Sequence, residues 1–158
     1  KSVTPAYLFA ALLWPAYALE LQCLLEQGLD LAAAEQRAAD RVTLRQAERI
    51  ALPRRFSVPM QEIWWLQSRF GLRQRKRVFR LLAHPRFRAA FDFLELRASV
   101  VPELAAEAAW WREAQGLGSD ELAGRLVVPA KSADDAGKPR KRRRRRSGRG
   151  KAPVAGGE

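Results

Sequence analysis

Cysteine and histidine are nearly missing from this sequence, and their scarcity removes whole classes of chemistry. Cys23 is the one cysteine, so no disulfide can close within the chain, and His84 is the one histidine, so no Cys/His zinc cluster can form. A reducing, cytoplasmic compartment is the expectation. No Gly-rich phosphate loop, no Ser/His/Asp set and no clustered aspartate pair stand in the apolar part of the chain. Catalytic residues, bound metal and cofactor are therefore expected to be absent from it. The chain also starts at Lys1 rather than Met, which reads as a fragment or processed product whose chemistry lies elsewhere.

Acidic residues are the other shortage. Asp and Glu number 17 against 29 Lys and Arg, a net charge of +12, and the excess is uneven. From Lys131 onward eleven cations face only Asp134, Asp135 and Glu158, which puts +8 in the tail and leaves +4 for residues 1–130. Two separate basic features follow. Residues 1–130 read as a helical body with a basic surface, and residues 131–158 as a disordered arginine-rich tail.

What is abundant is apolar surface: 47% of the 158 residues are hydrophobic, enough for one modest core. The stretch from Pro53 to Ala98 interleaves Phe56, Trp64, Trp65, Phe70, Phe79, Phe87, Phe91 and Phe93 with cations. Between Arg69 and Arg88 it holds eight Lys or Arg residues (Arg69, Arg73, Arg75, Lys76, Arg77, Arg80, Arg86, Arg88) and no acid. So apolar a segment folds, and folded helices with a basic surface are the footprint of a nucleic-acid binder.

Along the chain the pattern predicts an all-α fold, an irregular bundle of about six helices. Thr4 caps an apolar helix over Ala6–Trp14, Pro15 interrupts it, and a second helix runs from Ala16 to about Gln27 and stops at Gly28. Lys1, the apolar run and Ala16-Tyr17-Ala18 imitate a secretory signal, but one positive charge precedes the run and nothing downstream looks secreted. The run also reads as too short and too interrupted to span a bilayer, so a buried helical hairpin is expected. Asp30 caps a helix from Leu31 to about Leu52, ended by Pro53. On it Arg37, Arg41, Arg45 and Arg49 share one face, with Asp40 and Glu48 expected to pair with Arg37 and Arg45.

Ser57 is expected to cap the next helix, with Pro59 in its first turn and Met60, Ile63, Trp64 and Phe70 at helical spacing. Adjacent tryptophans diverge by about 100° on a helix, so Trp64 and Trp65 divide between core and partial exposure. Over Leu72–Ala83, Arg73, Lys76, Arg77 and Arg80 recur at i, i+3, i+4 and i+7 with Val78, Phe79, Leu81 and Leu82 opposite. Like charges so placed weaken an isolated helix, and a bound polyanion would relieve them. His84-Pro85 forms a turn, and Phe87, Phe91, Leu94 and Ala98 form the core stripe of a helix on which Asp92 and Glu95 pair with neighbouring cations. Pro102 starts a helix through Gln115, the Gly116-x-Gly118 turn closes it, and Asp120–Leu126 adds a short one. In the tail, if about six charges neutralise phosphates of a single strand, log K falls with log salt at a slope of about −4.

The run PRRF…EIWWLQSRF…RQRKRVFRLLAHPRFRAAFDFLELRA resembles the C-terminal body of the bacterial poly(A) polymerase family, class II nucleotidyltransferases related to CCA-adding enzymes. TPAYLFAALLWP is similar to the passage from neck to body in that family, so residues 1–28 resemble the end of the neck region. The final arginine cluster resembles the arginine-rich C-terminus in composition. The resemblance implies an enzyme that adds AMP from ATP to RNA 3′ ends and promotes RNA decay. It implies Mg2+ and ATP in a catalytic head that this chain lacks, and RNA, that head and the RNA-decay machinery as partners, with no membrane. No catalytic residue carries over. What carries over is RNA grip, at Arg54 and Arg55 in the PRR motif, Arg73, Lys76, Arg77 and Arg80, Arg86 and Arg88 in HPRFR, and by composition Arg142, Arg143, Arg144, Arg145 and Arg146. A free-standing architectural or ribosome-associated RNA-binding protein without enzymatic activity is the alternative.

Overall fold

Apolar residues at helical spacing make an all-α architecture, with side-chain caps at the starts of two helices. The computed structural model describes residues 3–50 and 52–126, which belong to one unit, Lys1–Val128. The expectations for residues 131–158, Arg142 to Arg146 included, lie outside the described residues. Among the described residues seven α-helices follow one another: α1 Pro5–Glu26, α2 Leu31–Ala47, α3 Arg54–Gln67, α4 Arg75–Leu82, α5 Phe87–Ala98, α6 Ala105–Gly116 and α7 Ser119–Arg125. A 3-10 turn, Pro102–Leu104, leads into α6.

The helix boundaries follow local chemistry at several points. Thr4 accepts the Tyr7 amide at 3.3 Å and Asp30 accepts the Ala33 amide at 3.1 Å, so α1 and α2 begin where a side-chain oxygen satisfies an orphan N–H. At the end of α1, Gly28 adopts φ 87°, its amide donates to Leu25 at 2.9 Å, and Leu29 donates to Leu24 at 3.2 Å. That pair of bonds is a Schellman motif, which needs a residue free of the Cβ penalty at Gly28.

Other boundaries correct the sequence reading. α1 is one continuous helix of 22 residues that passes through Pro15, so there is no hairpin within residues 5–26. By length and composition alone it is also long and apolar enough to cross a membrane, contrary to the expectation. One face of α1 packs inward through Ala6, Ala10, Tyr17 and Leu24, and that packing carries the helix past the hydrogen bond Pro15 cannot donate. α2 stops at Ala47, well short of Pro53. α3 begins at Arg54 behind Pro53, and Ser57 is buried inside it rather than capping it. α4 starts only at Arg75, because Gly71 to Gln74 are not helical and connect α3 to it.

Two linked clusters form the core. In the first, α1, α2 and α3 bury Tyr17, Leu24, Ala38, Met60 and Trp64 together with Phe93 of α5. Tyr17 stacks on Trp64 at 4.5 Å between centroids, and the Trp64 indole donates to the Ala10 carbonyl at 2.9 Å, which fixes α3 to α1. In the second, α4 to α7 bury Val78, Leu81, Phe87, Phe91, Leu94 and Leu122 around Trp111. The Trp111 ring meets Phe70 edge-on at 5.3 Å and its indole donates to the Phe70 carbonyl at 2.9 Å. Truncating so large a fully buried ring costs about 3–5 kcal/mol.

α3 and α5 contribute to both clusters, and Gln67 joins them. Its amide donates to the carbonyls of Ile63 and Ala90 at 3.1 and 3.0 Å, and its oxygen accepts from Arg97 at 3.2 Å. Arg97 lies 4.2 Å over the Trp14 ring of α1, so one half-buried guanidinium ties three helices. The tryptophan pairs divide as their spacing requires: Trp64 and Trp111 are fully buried, Trp65 and Trp110 half-buried.

Candidate nucleic-acid interface

The cations of this unit have two fates. On α2, Arg41 and Arg45 both reach across to Glu20 of α1, Arg41 at 2.5 Å. The hydrogen bond from Arg41 in the first place, and Arg45 beside it, hold the Glu20 carboxyl below its ordinary range. The expected local pairs do not form: Asp40 accepts from Gln36 at 3.1 Å, and Arg45 takes Glu20 rather than Glu48. A partner on another helix satisfies two arginines at once, where a local pair satisfies one.

α4 carries its cations differently. Arg75, Lys76 and Arg77 occupy its first turn, Arg80 its last, and all are exposed. Among the described residues none of them forms an ion pair, no acid lies in the first turn and no side chain caps the N-terminus. Three positive side chains at the positive pole of a helix each cost about 0.3–1 kcal/mol. Val78 and Leu81, buried on the opposite face, hold the helix in place against that repulsion. Beside it Arg69, Arg77, Arg80 and His84 rim a small cleft of about 310 Å³ floored by Leu66, Leu72 and Leu81.

The structure disperses the remaining candidates. Arg73 is not on α4; it precedes the helix, lies 4.9 Å over the Trp110 ring and opposes the burial that raises the Glu107 carboxyl. Arg54 and Arg55 are exposed in the first turn of α3, with Arg55 over the Phe56 ring at 4.8 Å. Arg86 pairs with Glu62 at 2.9 Å, and Arg88 pairs with Asp92 at 3.0 Å, as expected from its position, and donates weakly to Gln115 at 3.4 Å. Glu95 takes Arg112 at 2.7 Å. His84 is a turn residue: its Nδ1 accepts the Arg86 amide at 3.1 Å. Among the described residues no cluster of His, Cys, Asp or Glu could hold a metal ion. Arg69 and His84 join the α4 cations in one cleft; the sequence shows Arg69 only as one more cation of the acid-free run and His84 only as a turn residue.

Residues 27–148 match the family described as the polymerase A arginine-rich C-terminus. The chain belongs to this family. It is 40% identical over 146 residues to poly(A) polymerase I of Salmonella typhi, an alignment that covers 90% of this chain and 30% of that protein. Poly(A) polymerase I of Escherichia coli O6:H1 is 38% identical over the same coverage. Poly(A) polymerase I of Haemophilus influenzae is 35% identical over 115 residues, 72% of this chain and 25% of that protein. The chain thus spans about 30% of the length of the first two relatives. The family match takes in α2 to α7 and so includes every cation discussed above that lies in the described residues.

Proposed function

We propose that this chain is the RNA-holding part of a bacterial poly(A) polymerase, an enzyme that adds AMP from ATP to RNA 3′ ends and so promotes RNA decay. Nucleotidyl transfer, with its Mg2+ and ATP, belongs in this reading to a catalytic head outside the sequence described above, and the enzyme works in the cytoplasm. The folded body supplies a rigid basic track, and the arginine-rich tail adds charge with little sequence preference. The observation that carries the proposal is α4, whose four exposed cations have no acidic partner among the described residues while Arg41 and Arg45 on α2 share Glu20. A polyanion supplies the counter-charge the protein withholds. RNA, the catalytic head and the RNA-decay machinery are the partners this reading names.

The test is binding of a labelled oligoadenylate and a random-sequence RNA over a range of salt, for the full chain and a version ending at Pro129. Substantial affinity in residues 1–129, with a salt slope reduced but not abolished, supports a folded RNA track. If binding vanishes with the tail, the body is a scaffold and the proposed track is wrong. If neither form binds RNA, the reading as a whole fails.

A further inference from the structure

A second cleft opens beside the α4–α5 turn, at Pro85 and Arg86. The first turns of α1, α3 and α5 meet there around an open cleft of about 860 Å³, lined among others by Tyr7, Arg55, Phe56, Arg86, Arg88 and Asp92. No acid occupies the first turn of any of the three helices, and no side chain caps α3 or α5. The cleft therefore combines three guanidinium groups, partial positive charge from the helix ends and an aromatic ring that is only half-buried.

Two of the guanidinium groups are already held in position. Glu62 holds Arg86 and Asp92 holds Arg88, each through one carboxylate, while a guanidinium carries five N–H donors in a planar fork. Arg55 has no carboxylate partner among the described residues and rests over Phe56. Phosphate on Arg55 and Arg88 with a flat ring on Phe56 is the chemistry of a nucleotide.

The clefts are adjacent in the fold. His84 lines the α4 cleft, and the next residues, Pro85 and Arg86, line this one. α3 also spans both, with Leu66 in the first and Arg55 in the second, about 16 Å apart at the helical rise. We infer that the cleft at the first turns of α1, α3 and α5 holds one nucleotide unit of the same single RNA strand whose neighbouring phosphates lie along α4. The inference rests on the RNA-holding reading and adds a place where a base, not only the backbone, is gripped. A π-face is common to every base, so this grip tolerates sequence.

The experiment uses the full chain, an oligoadenylate with a photoreactive base, and three variants: Phe56→Leu, Arg55→Gln, and Lys76→Gln/Arg77→Gln/Arg80→Gln on α4. Phe56→Leu is expected to weaken binding roughly tenfold with an unchanged salt slope, because it removes stacking and no charge. Arg55→Gln is expected to reduce the slope by about 0.7, the share of one phosphate contact on a single strand. Crosslinks are expected within residues 54–60 and 85–92. Arg55 is exposed, so its variant and the crosslink map decide the matter even if Phe56→Leu unfolds. If both cleft variants bind as the parent does and crosslinks map elsewhere while the α4 variant is weakened, the cleft is not a subsite and the RNA-holding reading stands. If no variant changes binding, that reading falls as well. Protection of this cleft by free AMP, with no crosslink from the oligoadenylate, would assign it to a free nucleotide and overturn the inference.

Discussion

α2 and α4 each carry a series of cations at helical spacing, yet the fold treats them in opposite ways. α1 brings Glu20 to Arg41 and Arg45, so the middle of the α2 series holds two helices together, while Arg37 stays exposed and Arg49 lies beyond the end of α2. Nothing among the described residues does the same for Arg75, Lys76, Arg77 and Arg80, and the N-terminal pole of α4 adds to their repulsion. A basic stripe is therefore evidence of a binding surface only once the acids that reach it from other helices have been counted. By that count α4 is the candidate surface, and Arg41 and Arg45 of α2 are scaffold.

The largest effect that separates the two is expected from replacing Arg75, Lys76, Arg77 and Arg80 together with Gln. RNA affinity should fall by roughly tenfold or more and the salt slope should lose roughly three units, at about 0.7 for each contact. Thermal stability should stay level or rise, by about 0.2–0.5 kcal/mol for each like-charge pair relieved. A melting temperature that falls while RNA affinity holds would reverse the assignment. Next in size, Glu20→Gln should cost about 1 kcal/mol of stability in denaturant unfolding, a modest figure because both guanidinium groups are largely exposed, and should leave RNA affinity unchanged.

The pH dependence of that second effect has a definite sign. Glu20 titrates lower in the folded state than in the unfolded chain, so its contribution is complete above the ordinary carboxylate range. It is lost as pH falls through the depressed value, and the parent and Glu20→Gln should then converge. Glu35 goes the other way. Burial raises its carboxyl, against the Ser68 hydroxyl and the Arg69 guanidinium, so Glu35→Gln should raise the melting temperature at neutral pH, a gain that shrinks as pH falls through the raised value. The smallest effect is expected at Arg73, which sits over Trp110 instead of on α4. Arg73→Gln should cost about 0.5–1 kcal/mol of stability through the lost cation–π contact, and weaken RNA binding less than Arg77→Gln does.

What was legible in the sequence was local. The caps at Thr4, Asp30 and Gly28, the division of Trp64 and Trp65, the Phe87–Phe91–Leu94 stripe and the His84 turn all depend on residues within a turn or two of one another. What was not legible depended on distant partners. Pro15 marks a helix break by local rules, and the burial of Ala6, Ala10, Tyr17 and Leu24, with Tyr17 stacked on Trp64, is what carries α1 on. Glu20 stands far from Arg41 and Arg45 along the chain, so no spacing rule could assign it to them. Ser57 has the chemistry of a cap, but the chain turns at Pro53 and Ser57 is buried inside α3. The cleft that gathers Arg55, Arg86 and Arg88 likewise exists only because three helices start at one place.

The most direct test of the contrast is to modify the full chain with an arginine-specific reagent, with and without an oligoadenylate, and to quantify each arginine by mass spectrometry. RNA is expected to protect Arg75, Arg77 and Arg80 strongly and to leave Arg41 and Arg45 at their RNA-free rates. Protection of Arg41 and Arg45 with Arg75, Arg77 and Arg80 unaffected would contradict this expectation, and would make the α2 face the RNA track.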